Sequence, residues 1–133
     1  MDDALIVETS VLVDLDRERR IGRLGRAHAA LAAHGHRRLY ITATIAGEIA
    51  SGVGMHERER WNQFVRAFPW LALDEAVAWQ FGEAYRYLQR VGQLIGANDL
   101  WIAAAGLAHE VPVMTRNGGG FRRVPGLEVI SLE

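Results

Sequence analysis

The sequence predicts an α/β domain, a three-layer α/β/α sandwich built on a mostly parallel central sheet. Short apolar runs alternate with helix-spaced amphipathic segments along the whole chain, the signature of successive strand and helix units. The first run, Ala4-Leu5-Ile6-Val7, has no polar interruption, as expected of a parallel strand covered on both faces. It passes directly into Glu8, Thr9 and Ser10, so a carboxylate and two hydroxyls reach the carboxyl edge of the sheet, where open α/β folds place their sites.

Each element follows in order. Ser10 is positioned to cap a helix through Val11, Leu12 and Leu15, and a second helix is expected from about Ile21 to Ala33, where the alanine-rich run has high helix propensity. Glycine in His34-Gly35-His36 stops it, and Leu39-Tyr40-Ile41 reads as the second strand. Ile45, Ile49 and Val53 repeat at helical spacing, which gives a helix from Thr44 to Val53; another, His56 to Phe68, is broken by Pro69. Trp70-Leu71-Ala72-Leu73 reads as a strand. Asp74 is a fitting N-cap for a long helix with the stripe Val77, Phe81, Tyr85 and Leu88, ending near Gly92. The next helix, Asn98 to His109, carries the small residues Ala103 to Gly106, which allow close packing. Val111 to Thr115 is a strand, Asn117 to Gly120 a loop, and Leu127 to Ile130 the last strand.

The length, 133 residues with 50% hydrophobic, suits one domain spanning 1–133 and one core. A net charge of -1 argues against a protein that coats nucleic acid non-specifically. With no cysteine, disulfides, thiolate metal sites and thiol nucleophiles are excluded. No stretch approaches the roughly 20 apolar residues of a membrane span. The opening Met1-Asp2-Asp3 is not a basic signal region, so a cytoplasmic protein is expected. The 15 basic residues are all arginine, and seven of them lie between Arg17 and Arg38, either as a solvated helix face or as a phosphate-contacting rim. Trp61, Trp70, Trp79 and Trp101 read as core or interface residues rather than base-stacking platforms. His34 and His36 flank a helix-ending glycine and read as solvent-facing, and Gly118-Gly119-Gly120 lacks the context and lysine of a phosphate-binding loop.

Four polar residues fall at strand ends or early in helices. Glu8 ends the first strand. Glu48 lies a turn inside its helix, beside the face of Ile45, Ile49 and Gly52. Asp99 opens an otherwise apolar helix, where the backbone dipole favours an acid. Asn117 follows the strand ending at Thr115. Singly, each has an ordinary structural explanation; gathered at one sheet edge, the carboxylates repel and call for a cation. Oxygen donors without histidine or cysteine suit Mg²⁺ or Mn²⁺, and the implied chemistry is metal-dependent phosphodiester hydrolysis.

The residues resemble the PIN-domain ribonucleases, and among them the VapC-type toxins of toxin-antitoxin pairs. The resemblance covers nearly the whole chain. It rests on Ile6 to Asp14, on Thr44-Ile45-Ala46-Gly47-Glu48-Ile49, on Asn98-Asp99-Leu100-Trp101-Ile102-Ala103-Ala104, on Thr115-Arg116-Asn117 to Phe121 and on Val124 to Val129. It implies an acidic Mg²⁺ site that cleaves RNA of the transfer or ribosomal class, a domain that often forms a homodimer, and a cognate antitoxin laid over the site. By that resemblance Glu8, Glu48 and Asp99 hold metal, Asn117 holds water or substrate, and Thr9, Ser10 and Thr115 orient carboxylates or phosphate. The chain departs from the family at Glu8, where aspartate is usual, and at Gly120, where an acid or histidine is frequent. An alternative is therefore a PIN-like module that only binds antitoxin or RNA. An aspartyl phosphotransfer domain ranks last, since no lysine exists and Glu8 and Ser10 occupy the first strand's exit.

Overall fold

The computed structural model describes residues 3–52 and 54–132. Five strands, β1 (Ala4–Val7), β2 (Arg38–Thr42), β3 (Trp70–Leu71), β4 (Val113–Thr115) and β5 (Val129–Ser131), form one sheet in the order β3-β2-β1-β4-β5. Every pairing is parallel, with Leu5 opposite Leu39, Ile6 opposite both Tyr40 and Val113, and Met114 opposite Ile130. Seven helices flank the sheet: α1 (Thr9–Ile21), α2 (Arg26–Ala33), α3 (Ala43–Ala50), α4 (Arg58–Val65), α5 (Glu75–Arg90), α6 (Ala97–His109) and the single turn α7 (Gly118–Phe121). The expected sandwich is present, and its sheet is parallel throughout. Chain order reverses between β1 and β4, so the crevice outside their carboxyl ends is the switch point where such sheets bind ligands.

All four residues of β1 are buried, which requires helices on both faces of the sheet. The core takes Leu5, Ile6, Val7, Val11, Leu12 and Leu15 from the N-terminal unit and Leu100, Ile102, Ala103, Ala104 and Ala105 from α6. The small run of α6 does bring neighbours close. A Cβ on Gly106 would lie 2.7 Å from Leu127 Cδ1 and 2.9 Å from the Val111 carbonyl oxygen. Trp61 and Trp101 pack partly buried against the core, whereas Trp70 and Trp79 are exposed. No helix among the described residues is long and apolar enough to cross a membrane.

Several elements differ from the sequence expectation. Ser10 does not cap α1. Glu8 does, its carboxylate accepting from the Ser10 backbone N–H, and Ser10 lies inside the helix. The helix expected from Ile21 to Ala33 is instead the end of α1 and a separate α2, because Gly22 turns left-handed (φ 67°) and closes α1. His34, not Gly35, is the C-cap of α2. Thr42 caps α3 by accepting from Ile45 N–H at 3.4 Å, so that helix starts earlier than Thr44 and ends at Ala50; Val53 lies outside the described residues, as do Met1 and Asp2. The helix expected from His56 to Phe68 spans only Arg58–Val65. β3 stops at Leu71 because its only partner, β2, ends at Thr42, leaving Ala72 and Leu73 nothing to pair with. Pro112 cannot donate to a ladder and Val111 N–H closes on Gly106, so β4 starts at Val113. Asn117 to Gly120 is not a plain loop, since α7 begins at Gly118. The last strand runs from Val129 rather than Leu127, in register with β4.

The α2 N-terminus has no side-chain cap of its own; its N-cap is Gly25. Glu18 of α1 supplies one, accepting from the backbone N–H groups of Gly25 (2.8 Å), Ala27 (3.0 Å) and His28 (3.2 Å) and meeting the His28 ring at 2.8 Å. Burial works to raise the Glu18 pKa, but the His28 ring and the three N–H groups outweigh it and hold the carboxyl at about 2, below its ordinary 4.5. A depressed folded pKa contributes stability above the unfolded value, lost as pH falls towards the folded one. Glu18→Gln should therefore lower stability by about 1–2 kcal/mol near neutral pH. In urea titrations the gap to the native protein should close as pH falls from 4.5 towards 2; a gap independent of pH would refute the capping role. Gly106→Ala should cost about 1–3 kcal/mol in the same assay, because the contacted Val111 oxygen is backbone and yields little.

Candidate active site

The switch-point crevice is built from the ends of β1 and β4 and the start of α6. Glu8 is the first residue after β1 and is 7% exposed. Its Oε1 accepts from Ser10 Oγ at 2.6 Å and from Thr115 Oγ1 at 2.6 Å, and its Oε2 accepts from Ser10 N–H at 3.2 Å. Each hydroxyl spends its single proton on Glu8 and uses a lone pair elsewhere. Ser10 Oγ accepts from Arg116 N–H at 3.0 Å, and Thr115 Oγ1 accepts from Asn117 N–H at 3.1 Å. The loop after β4 is thereby fastened to the start of α1.

Glu48 projects from α3 towards the same edge, where its Oε1 accepts from Thr9 Oγ1 at 2.5 Å and its Oε2 from Asn98 Nδ2 at 3.4 Å. Asp99 lies in the first turn of α6. Its carboxyl is pushed above the ordinary range by burial and then by the charges of Glu8 and Glu48, although the helix N-terminus favours the anion. Glu8, Asp99 and Asn117 line one cleft of about 280 Å³ together with Ser10, Thr115, Gly119, Gly120 and Phe121. Glu48 lines the adjoining groove of about 430 Å³, with Leu12, Ile49, Met55, Phe64, Arg17 and Arg20. The expected residues are thus neighbours, but they divide between two lobes. Among the described residues, no three His, Cys, Asp or Glu side chains are grouped to hold one ion. Glu8 and Glu48 are instead turned onto hydroxyls.

Sequence reasoning missed a clamp at this edge. Asp14, one turn into α1 from Ser10, accepts from Arg116 Nη1 at 2.7 Å and from Arg17 Nη2 at 2.7 Å. The spacing of Ser10 and Asp14 on one helix face was a usable signal, but nothing in it named Arg116 as their common partner. Asn98, which steadies Glu48, was equally readable only after α3 and α6 were brought together.

Residues 5–127 match the PIN domain. The chain belongs to the PIN-domain family. This PIN domain is 32% identical over 124 residues to Ribonuclease VapC1 of Methanocaldococcus jannaschii, an alignment covering 92% of this chain and 82% of that protein. Its fold is similar to VapBC2 of Rickettsia felis bound to a fragment of promoter DNA (TM-score 0.81, 18% identity, 96% and 98% of the two chains). A toxin-antitoxin complex from Klebsiella pneumoniae is likewise similar (TM-score 0.72, 22% identity, 97% and 98% of the two chains). At those identities the structural likeness speaks for the fold. The curated relative, at higher identity, places the chain among the VapC members of the family.

Thr115 is fully buried and joins three backbone or side-chain groups through one hydroxyl. In this PIN domain Thr115→Val keeps the shape and removes the hydroxyl, leaving Asn117 N–H and one Glu8 bond unpaired. Stability should fall by about 1–3 kcal/mol, and amide exchange at Asn117 should accelerate. Unchanged exchange there would show that the hydroxyl does not hold the loop. Asp99→Asn acts in the other direction. A carboxyl whose folded pKa is raised costs stability while ionised, so in metal-free buffer the variant should unfold at higher urea at neutral pH. That advantage should vanish in acid as native Asp99 protonates.

Proposed function

We propose that this PIN domain is a divalent-cation-dependent endoribonuclease of the VapC type, restrained by a cognate antitoxin. The observation that carries the reading is the raised Asp99 carboxyl, produced by burial and by two further carboxylates at the sheet's switch point. Such repulsion, in an all-oxygen donor set, fits a hard divalent ion in chemical type. Glu8, Glu48 and Asp99 would hold Mg²⁺, with Mn²⁺ as the alternative. When bound, the ion supplies neutralising charge, a more acidic water and stabilisation of the leaving oxygen.

The chain's own residues do the rest. Thr9 steadies Glu48, while Ser10 and Thr115 steady Glu8, so the carboxylates are held by hydroxyls rather than by lysine or arginine. Asn117, set at the head of α7, faces the cleft and would orient a water or a phosphate oxygen. Arg17 and Arg20 line the groove beside Glu48 and supply positive charge for an RNA backbone of the transfer or ribosomal class. Hydrolysis would pass directly to water, without a covalent enzyme intermediate. The antitoxin is inferred from the likeness to the toxin-antitoxin structures, and a homodimer in the cytoplasm completes the reading.

One observation favours a second reading, in which the protein binds antitoxin or RNA without turnover: the Glu8 carboxylate is committed to two hydroxyls and to the cap of α1. RNA cleavage by the purified protein with Mg²⁺, with Mn²⁺ and with chelator, beside Glu8→Asp and Asp99→Asn, separates the two. We expect cutting that chelator abolishes, that Asp99→Asn loses and that Glu8→Asp raises, on the order of a hundredfold if the carboxylate is misplaced by about 1 Å. Cleavage unaffected by chelator or by Asp99→Asn would remove the metal reading. Cleavage by Glu8→Asp alone would establish the binding-only reading for the native chain.

A further inference from the structure

The buried stripe of α5 is Val77, Ala84 and Leu88, held against the core. Directly opposite, at spacings of four, three and four residues, stand Glu75, Trp79, Gly82 and Arg86. An outward face of this kind is ordinarily charged, yet Trp79 sits in its middle and is 62% exposed. Gly82 lies in the middle of the same face, where glycine is the poorest helix former short of proline. No close packing within the protein demands it. A Cβ there would meet only the tip of Arg86, at 3.7 Å. A large exposed knob and an open notch thus lie side by side on one rigid helix, with an acid at one end of the stripe and a base at the other.

We propose that this face of α5 is a two-fold interface between two copies of the chain. It rests on the homodimer reading above and names the surface. A knob, a notch, an acid and a base in this order are self-complementary under an antiparallel two-fold axis passing between Gln80 and Phe81. That axis sets Trp79 of each copy over Gly82 of the other, and Glu75 of each against Arg86 of the other. It also turns Tyr85, 40% exposed, towards the shelf lined by Glu75, Ala76, Ala78 and Trp79 of the second copy. The large residue meets the small one, as close helix packing requires, and every contact occurs twice.

The charges fix the direction. A parallel arrangement would stack Glu75 on Glu75 and Arg86 on Arg86, whereas the antiparallel one pairs opposites. Arg86 is prepared for this role. It lies over the Trp79 ring at 5.7 Å and pairs with Glu83 at 2.8 Å, so its guanidinium is already held beside the aromatic knob. Exposed tryptophan, tyrosine and arginine at the centre of a patch are also the residues that carry most energy at protein interfaces.

Sedimentation of the purified full chain over a range of concentrations tests the surface. The native protein should dimerise, and Trp79→Ala should weaken the dimer about tenfold or more. Gly82→Gln fills the notch with a better helix former, so it should leave the fold and thermal unfolding of the monomer intact and still abolish the dimer. Glu75→Arg and Arg86→Glu should each weaken association, and the two together should restore it, which loss of folding cannot imitate. A native chain monomeric at every concentration would overturn the dimer reading itself. A dimer indifferent to Gly82→Gln and to the charge reversals would leave dimerisation standing and overturn this surface.

Discussion

The Glu8 carboxylate is the joint on which the rest of the site depends. It follows directly from a strand whose residues are all buried, so its backbone has almost no freedom, and the side chain must find partners where the sheet ends. It finds them on three sides: the N–H of Ser10, which makes it the cap of α1, and the hydroxyls of Ser10 and Thr115. An anion at a helix N-terminus is favoured by the backbone dipole, which lets a nearly buried carboxylate persist without a cationic side chain beside it. The two hydroxyls then pass the constraint on to the backbone of Arg116 and Asn117. One side chain thus fixes the end of β1, the start of α1 and the loop after β4.

Helix α1 extends this tie across the molecule. Asp14, Asp16 and Glu18 fall on alternate positions and reach three different elements. Asp14 holds Arg116 in the loop after β4, Asp16 holds Arg60 of α4 at 3.1 Å, and Glu18 caps α2. Arg60 also reaches the Gly54 carbonyl, so the segment between α3 and α4 is tied back to α1. The acids of α1 therefore act as spokes rather than as a solvated face. Exposed pairs of this type add little stability singly, but each here joins segments distant in sequence and so sets positions at the site.

This explains what the sequence could and could not convey. Apolar periodicity exposed the alternation of strands and helices, and the acids at strand ends exposed the edge on which they gather, because both are properties of short windows. Asp74 was readable as a cap for the same reason. Glu18 was not, since it caps a helix from outside that helix, and the split between α1 and α2 hung on the left-handed turn at Gly22. The shortened β3 was illegible because a strand's length depends on its neighbour; β2 had to end at Thr42 first. Likewise Glu8, Glu48 and Asp99 could be named one by one, while their division between a cleft and a groove depends on which hydroxyl each carboxylate meets.

That division bears on the choice of glutamate at position 8. Helix caps are ordinarily short side chains whose oxygen reaches the second or third N–H without bending back. Glutamate carries an extra methylene, and here the cap bond to Ser10 N–H is 3.2 Å while both short bonds, at 2.6 Å, go to hydroxyls. The carboxylate is therefore held more firmly by the β4 side than by the helix it caps. Gly120 matches this arrangement. A side chain there would press on Ile95 at 3.3 Å, so the wall facing Glu8 is closed by Ile95 and offers no fourth acid. With one wall apolar and Glu8 drawn towards Thr115, the negative charge of the cleft is concentrated at Asp99, which is where the structure shows the carboxyl displaced. The departures at Glu8 and Gly120 thus shift the weight of the site from a ring of acids to the single carboxylate at the head of α6.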